Sequence, residues 1–220
     1  MIKRVMKLLQ PVLSRIYQVY SRMNPFYSYE GIRLKILNGV FHPGLFFSTH
    51  VFLEFLKTRQ LSELKILELG AGSGLISFYC SREGAQVTAS DINQAAITGL
   101  KLNADRNKLG INVVHSDLFE NIVISDFDMI LINPPYYPKE PNNDSEAAWF
   151  CGENFEYFDK VFGQLGKISS FPEILMILSE DCDLTKIKSI ALKNGLIDRL
   201  VYSEIKWSEE NFIFQFLKET

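Results

Sequence analysis

The sequence predicts an α/β fold in which helices cover both faces of a mostly parallel seven-stranded sheet. Three observations support this. Short apolar segments alternate with amphipathic helical segments from Lys65 to Lys193, as in a parallel sheet whose strands are joined by helices. A glycine-rich loop separates the first strand from its helix, as in Rossmann-like folds. The last two strands have no helix between them, so we expect an antiparallel C-terminal hairpin.

The segment before this alternation predicts a short N-terminal helix, a β-hairpin and a second helix. Apolar residues recur at helical spacing in residues 2–23, and Asn24-Pro25 marks the end of that helix. Alternating apolar and basic residues predict a hairpin from Gly31 to Phe41, with Asn38-Gly39 as its turn. Helical spacing returns in Ser48–Lys57, which predicts the second helix.

Seven strands and four helices are predicted beyond this point. The strands are Lys65–Leu69, Gln86–Ser90, Ile111–Val114, Phe127–Ile132, Glu173–Leu178, Leu196–Tyr202 and Asn211–Phe216. The helices are Leu75–Arg82, Gln94–Arg106, Asn154–Leu165 and Thr185–Lys193. Ligands of such sheets bind beyond the carboxyl ends of the strands, so the loops after the first four strands are expected to form the site.

Composition and cysteine spacing exclude several classes of protein. The 220 residues are 47% hydrophobic and 22% charged, which suits one globular domain. No apolar run reaches the roughly 18 residues of a membrane-spanning helix, so no membrane association is expected. Cys80, Cys151 and Cys182 lie too far apart for a metal motif, and their odd number gives no disulfide framework. We therefore expect a cytoplasmic protein without a metal site.

Charge is distributed unevenly along the chain. Residues 1–37 carry a net charge of +6 and residues 38–220 a net charge of −9. We interpret the first range as an arm of helix and hairpin, and the second as the domain that carries the site. The basic arm either attracts an anionic partner or is the solvated face of a docking helix. The sequence leaves both alternatives open.

The loop after the first predicted strand contains Gly70, Gly72 and Gly74. Glycines here let the backbone turn tightly and let a ligand approach without interference from a Cβ atom. Their spacing differs from the Gly-x-Gly-x-x-Gly of pyrophosphate-binding loops. Glu68, two residues before the first glycine, would repel a pyrophosphate. The pattern therefore argues against a dinucleotide ligand.

Aspartates follow the next two strands. Asp91 ends the second strand, where a carboxylate can accept hydrogen bonds from both ribose hydroxyls, or can instead cap the following helix. Asp117 follows the third strand, with Leu118 beside it. It can accept a hydrogen bond from an adenine amino group, or can instead be a turn or N-cap residue. Ile92 is expected to pack on the adenine face. These positions predict a ligand that contains adenosine.

The fourth strand ends in Asn133-Pro134-Pro135-Tyr136. The two prolines remove two backbone donors and stiffen the loop, but keep their carbonyl acceptors. The side-chain oxygen of Asn133 and the carbonyl of Pro134 can then accept the two hydrogens of an amide or amino group, and Tyr136 can lie against its planar face. These three residues are therefore the predicted catalytic residues, and the reaction needs no strong base.

Four of these segments together resemble class I methyltransferases of the HemK type, which methylate the side-chain amide of glutamine in translation release factors. They are Ile66–Gly74, Asp91, Ser116–Phe119 and Asn133–Tyr136. The resemblance implies S-adenosyl-L-methionine as the cofactor, with Glu68 facing its ammonium or sulfonium group. The implied cofactor-binding residues are Glu68, Gly70, Gly72, Gly74, Asp91, Ile92, Asp117, Leu118 and Asn133.

The chain departs from the family pattern in three places. Only about 28 residues precede the hairpin, where the family usually has a longer helical domain. Phe47 and Ser48 replace an acidic residue, and Cys151 replaces a glycine. The segment from His42 to Ser48 is similar to one in guanine-specific ribosomal-RNA methyltransferases, and enzymes acting on adenine amines share the Asn-Pro-Pro-Tyr tetrapeptide.

The predicted reaction is therefore N-methylation of a planar nitrogen, with a protein glutamine side chain as the main candidate. An exocyclic amine of adenine or guanine in RNA or DNA is the alternative substrate, and a small molecule is a third. An inactive scaffold with the methyltransferase fold is the alternative of another class. His42, Pro43, Tyr137 and Trp149 are expected to line the substrate site. The sequence leaves the oligomeric state and any partner subunit open.

Overall fold

The computed structural model describes residues 23–45, 47–168, 171–206 and 209–219. Within these ranges the strands are β1 (Phe26–Tyr29), β2 (Ile32–Lys35), β3 (Lys65–Leu69), β4 (Gln86–Asp91), β5 (Ile111–His115), β6 (Met129–Ile132), β7 (Glu173–Ser179), β8 (Leu196–Lys206) and β9 (Glu209–Lys218). The helices are α1 (Phe47–Leu56), α2 (Leu75–Arg82), α3 (Gln94–Asn107), α4 (Asp144–Ala147), α5 (Glu156–Leu165) and α6 (Leu184–Lys193). The predicted helix over residues 2–23 lies outside the described residues, apart from Met23.

Strands β3 to β9 form one sheet in the order β5-β4-β3-β6-β7-β9-β8. Strands β3 to β7 are parallel to one another, and β9 runs antiparallel between β7 and β8. The predicted mostly parallel sheet with an antiparallel C-terminal hairpin is therefore confirmed. The strand order reverses between β3 and β6, and this is where open α/β sheets form a ligand crevice.

Two apolar clusters cover the two faces of the sheet. Successive residues of a strand point to opposite faces, so Ile66 of β3 packs with α1, α2 and α3, whereas Leu67 packs with α5 and α6. Both side chains are fully buried. The helices thus fix β3 from both sides and hold the glycine loop that follows it.

The N-terminal hairpin differs from the prediction. It consists of β1 and β2, joined at Glu30-Gly31, and not of two strands joined by Asn38-Gly39. Glu30 and Gly31 have φ angles of 45° and 87°, and two positive φ angles give the turn whose twist matches paired strands. Asn38-Gly39 also forms a turn, with the Val40 N–H donating to Leu37 O (3.1 Å). The chain after it enters the core at Val40 instead of pairing with β2.

Asparagine side chains attach the hairpin to α3. The Lys35 N–H donates to Asn103 Oδ1 (2.8 Å), and Asn103 Nδ2 donates back to Lys35 O (3.1 Å). One helical turn later, Asn107 makes the same pair of bonds with the backbone of Arg33, both at 2.8 Å. The two amides therefore satisfy backbone N–H and C=O groups of β2, as a neighbouring strand would. They hold the hairpin against the sheet domain.

The remaining boundaries are close to those predicted. Strand β3 and helix α2 begin and end at the predicted residues. The short helix α4 and the strand β1 were not predicted. No helix in the described part of the chain is both long enough and apolar enough to cross a membrane.

Candidate active site

A cavity of about 310 Å³ opens at the carboxyl ends of the parallel strands. Its volume lies at the lower end of the range for small-molecule sites. The predicted site residues on its walls are Glu68, Gly70, Gly72, Asp91, Ile92, Asp117, Leu118, Asn133, Pro134, Tyr136, Tyr137 and Trp149. The fold thus gathers residues from the loops after β3, β4, β5 and β6 around one space.

Three of the described residues predicted for the site do not line this cavity. Gly74 begins α2 with a φ of 82°, and a Cβ atom there would lie 2.4 Å from the side chain of Leu100. It therefore allows close packing of helices. His42 and Pro43 are buried. The Gly44 N–H donates to His42 Nδ1 (3.1 Å), so Nε2 donates to Asn24 O (3.2 Å). Neither residue therefore lies on the wall of this cavity, and their contact with substrate stays a prediction.

Two backbone donors hold the carboxylate of Asp91. The Gly72 N–H donates to Oδ2 and the Asn93 N–H to Oδ1, both at 2.8 Å. Each oxygen keeps a further lone pair. Helix α3 is capped by Asn93, whose Oδ1 accepts from the Ala95 N–H (2.8 Å), so Asp91 is not the cap of this helix. Burial is the main cause that raises the pKa of Asp91.

Glu68 lies at the base of the cavity with 5% of its surface exposed. Both the N–H (2.8 Å) and the hydroxyl of Ser77 donate to its Oε2. The other oxygen, Oε1, accepts no hydrogen bond from the residues that the structure describes. Burial raises the pKa of Glu68 to about 7. Its charge is therefore sensitive to any ligand charge placed in the cavity.

The loops after β4 and β5 supply a partly apolar wall. Ile92 is 41% exposed on the cavity side, which is high for an isoleucine. Leu118 adopts a φ of 48°, and its carbonyl accepts from the Ser116 hydroxyl (2.9 Å). Asp117 lies 4.0 Å from the ammonium group of Lys160. An apolar surface therefore adjoins a carboxylate, a combination that suits a flat heterocycle with an amino group.

The amide of Asn133 is oriented by two hydroxyls. Its Nδ2 donates to Ser48 Oγ (3.3 Å) and to Thr49 Oγ1 (3.4 Å). Both hydroxyl-bearing residues are buried, at the start of α1. Among the described residues nothing donates to Asn133 Oδ1. Positions 48–49 and 133 are far apart in the sequence, so this contact was missed.

The two tyrosines after the prolines pack against each other, with ring centroids 4.8 Å apart. Burial raises the pKa of Tyr136 well above its ordinary value. Burial, and then the carboxylate of Asp181, raises the pKa of Tyr137 to about 12. Both phenols are therefore neutral at physiological pH and provide flat, uncharged surfaces.

Several further residues on the cavity were not predicted. Tyr157 and Lys160 enter it from α5, whose predicted position gave no sign of this role. Burial raises the pKa of Tyr157, so this phenol is also neutral. The ring of Phe41 packs against that of Trp149, which was predicted, with centroids 5.4 Å apart. Both rings line the cavity. Only their proximity in the fold could reveal this pair.

No three His, Cys, Asp or Glu side chains in the described residues lie together in a way that could hold a metal ion. Cys80, Cys151 and Cys182 are buried free thiols.

The sheet order, the glycine loop, the aspartate after β4 and the Asn-Pro-Pro-Tyr loop after β6 define a protein of the methyltransferase class. The chain belongs to the methyltransferase small domain family, whose model matches residues 31–152. The expected resemblance to methyltransferases is thereby confirmed.

The chain is similar to two curated relatives. A Methanocaldococcus jannaschii protein whose name refers to protein N5-glutamine methyltransferase activity is 40% identical over 111 residues, which cover 50% of this chain and 53% of that protein. The release factor glutamine methyltransferase of Fusobacterium nucleatum is 34% identical over 217 residues, which cover 84% of this chain and 60% of that protein. The chain spans about half the length of the curated relatives it matches.

Solved structures share the fold at low sequence identity. The T. thermophilus 16S rRNA N2 G1207 methyltransferase, solved in complex with AdoMet and guanosine, has a TM-score of 0.62 and 18% identity. The similarity covers 89% of this chain and 50% of that one. It supports the fold and does not bear on the substrate.

Proposed function

We propose that this protein is an S-adenosyl-L-methionine-dependent N-methyltransferase that acts on the side-chain amide of a glutamine. The proposed substrate that carries this glutamine is a translation release factor. One observation carries the proposal: Asn133 lines the cavity beside the glycine loop, its Nδ2 is engaged by the hydroxyls of Ser48 and Thr49, and no described residue donates to its Oδ1. The glutamine methyltransferase names of the relatives support the choice of substrate. The enzyme would then act in the cytoplasm, where translation terminates.

The residues present fit this cofactor. The carboxylate of Asp91, already held by two backbone donors, keeps one acceptor position on each oxygen for two ribose hydroxyls. The exposed side chain of Ile92 offers an apolar surface for adenine, and Asp117 an acceptor for its amino group. Glu68 faces the same space with one oxygen that has no described donor, which suits an ammonium or sulfonium group. When bound, S-adenosyl-L-methionine supplies an electrophilic methyl group.

The chain orients the acceptor nitrogen, which is the substrate nitrogen that receives the methyl group. Asn133 Oδ1 and the Pro134 carbonyl accept the two amide hydrogens, which fixes the direction of the nitrogen lone pair. Pro134 and Pro135 have no backbone N–H, so this part of the loop offers the substrate no competing donor. The neutral ring of Tyr136 packs against the planar amide. The surrounding aromatic walls shield the site from bulk water. The nitrogen loses one proton as or after it receives the methyl group, so alignment replaces a strong base.

The charge of the cavity favours a protein substrate over a nucleic acid. Five carboxylates and one ammonium group line it: Glu68, Asp91, Asp117, Glu140, Glu156 and Lys160. A nucleotide would bring phosphates towards this negative surface, at an energetic cost, whereas a glutamine side chain is neutral. The inactive-scaffold alternative is disfavoured because the loop, the acids and the tetrapeptide are all present.

The proposal is tested by following labelled methyl groups from S-adenosyl-L-methionine into cell extract separated into protein, RNA, DNA and small-molecule fractions. We expect the label in the protein fraction, in a release factor, on a glutamine nitrogen. Label in the RNA or DNA fraction would establish the alternative substrate. No transfer into any fraction would support the scaffold.

The role of Asn133 is tested with two variants. Asn133→Ala should lower the single-turnover rate about 100- to 1,000-fold, the range for loss of one oriented polar group at a reacting centre, with cofactor affinity nearly unchanged. Asn133→Asp keeps an acceptor of the same shape but adds a charge that can pair with the sulfonium, so it should bind the cofactor at least as well and still turn over slowly. Normal turnover in Asn133→Ala would remove this residue from the mechanism.

A further inference from the structure

We propose that Ser48 and Thr49 are positioning residues that hold the Asn133 amide with its oxygen towards the acceptor nitrogen. The proposal rests on the proposed function and adds two residues, from an element outside the Asn-Pro-Pro-Tyr loop, to the control of the transfer step.

An asparagine side chain has two ends of nearly equal size and opposite chemistry. Rotating the amide by half a turn would place two N–H donors where the substrate needs an acceptor. In the observed orientation Nδ2 lies within hydrogen-bond distance of two oxygens, Ser48 Oγ at 3.3 Å and Thr49 Oγ1 at 3.4 Å. Only this orientation leaves Oδ1 free to receive the substrate N–H.

The two hydroxyls are largely shielded. Ser48 and Thr49 are 4% and 5% exposed, and both line the cavity together with Asn133. Both hydrogen bonds are longer than the usual range of about 2.7–3.2 Å, so each alone holds the amide weakly. Together they give Nδ2 two acceptors. We therefore expect each hydroxyl to contribute about three- to tenfold to transfer.

Helix α1 supports this pair from behind. Val51 and Phe52, one turn further along α1, are fully buried in the cluster that also contains Ile66 of β3. The same packing thus sets the position of the hydroxyls and of the strand that leads into the glycine loop. A shift of α1 would move the Asn133 amide relative to the glycine loop. The orientation of Asn133 Oδ1 therefore depends on how α1 packs against the sheet.

The test is a double-mutant cycle with purified full-length protein, S-adenosyl-L-methionine and a purified release factor. The variants are Ser48→Ala, Thr49→Val, Asn133→Ala and their combinations, with Thr49→Ser as the conservative control that keeps the hydroxyl. Single-turnover rate, KM for the release factor, cofactor Kd and melting temperature are measured for each. We expect Thr49→Val to lower the rate about three- to tenfold with cofactor Kd unchanged, and Thr49→Ser to restore it.

The cycle distinguishes positioning from direct contact with substrate. If Ser48 and Thr49 act through the amide, removing them from an Asn133→Ala protein should cause no further loss of rate. Additive losses in that background, or a normal rate in the Ser48→Ala/Thr49→Val double variant, would overturn the proposal.

A second measurement does not depend on the substrate. Hydrogen exchange of the Asn133 side-chain amide, followed by NMR, should be slow in the wild type and faster in Thr49→Val because a bonded hydrogen has been released. Equal exchange rates would refute the inferred orientation. If the wild-type enzyme methylates no release factor, the proposed function fails and this exchange measurement decides the orientation alone.

Discussion

Single backbone N–H groups determine much of the geometry of the site. The Gly72 and Asn93 N–H groups fix the carboxylate of Asp91 from two sides. The Ser77 N–H and hydroxyl do the same for one oxygen of Glu68. In each case part of the acid is satisfied by the protein, and the remainder faces the cavity. An acid held in this way loses little conformational entropy when a ligand binds.

Asp91 should therefore contribute strongly to cofactor affinity. Asp91→Ala removes two charged hydrogen bonds to the proposed ribose and should weaken binding by roughly 1.5–3 kcal/mol. Calorimetry of S-adenosyl-L-methionine binding measures this loss. Asp105→Ala, an exposed aspartate of α3 away from the cavity, is the matched control and should leave the affinity as it is. Equal affinities in the two variants would contradict the role of Asp91.

The raised pKa of Glu68 predicts a pH-dependent stability. Burial lifts this pKa from 4.5 to about 7 in the folded protein, so between these values the unfolded chain binds fewer protons than the folded one. The stabilisation is complete below about pH 4.5 and is lost as the pH rises through 7, by up to about 3 kcal/mol. In Glu68→Gln the free energy of unfolding, measured with urea at pH 5 and pH 8, should fall less with pH than in the wild type. Parallel pH profiles would show that Glu68 is ionised throughout.

At the scale of elements, the contact between β2 and α3 explains how a short hairpin becomes part of the sheet domain. A two-stranded hairpin is marginal by itself. Here β2 buries Ile32 and Leu34 in the main core, and the amides of α3 satisfy its backbone on the outer edge. The turn at Asn38-Gly39 then leads directly into the cavity wall, where Gly39 O accepts from Asn93 Nδ2 (3.0 Å).

Loss of one of these amides should destabilise the protein. Asn103 is 1% exposed, so Asn103→Ala leaves the half-buried N–H and carbonyl of Lys35 without these partners. We expect the free energy of unfolding to fall by about 2–3 kcal/mol, measured by chemical denaturation. Asn112→Ala on the exposed part of β5 is the control, with a change within about 0.5 kcal/mol. Equal effects of the two changes would show that the hairpin is held by apolar packing alone.

Elements whose boundaries depend on local signals were predictable from the sequence. Strand β3 and helix α2 have the expected bounds because an apolar run, a glycine loop and a helical pattern follow each other directly. The hairpin turn was misplaced because Asn38-Gly39 is the stronger turn signal, whereas Glu30 rarely adopts a positive φ. The bonds from Asn133 to Ser48-Thr49 depend on how α1 packs against the sheet, and no local pattern encodes that contact.

At the scale of the whole molecule, the distribution of charge leads to a test that distinguishes a protein substrate from a nucleic-acid substrate. The chain carries a net charge of −3, with an excess of acid in residues 38–220 and of base in residues 1–37. A protein that methylates a protein should be indifferent to free RNA. Adding ribosomal RNA to the methyl-transfer assay with a release factor should therefore leave the initial rate unchanged. Inhibition that disappears at higher salt would instead show that the basic segment engages a polyanion.

The position of β9 between β7 and β8 has a consequence for synthesis of the protein. Strand β8 leaves the ribosome before β9, yet in the described sheet β9 is its only neighbour. During that interval both edges of β8 are unpaired, next to the apolar side chains of Leu200 and Ile205, which stay exposed in the folded protein as well. Closure requires pairs such as Ile174 with Phe216, which are distant in sequence and slow to form. A nascent chain halted within β8 is thus a natural client for chaperones and, when these are limiting, a seed for aggregation.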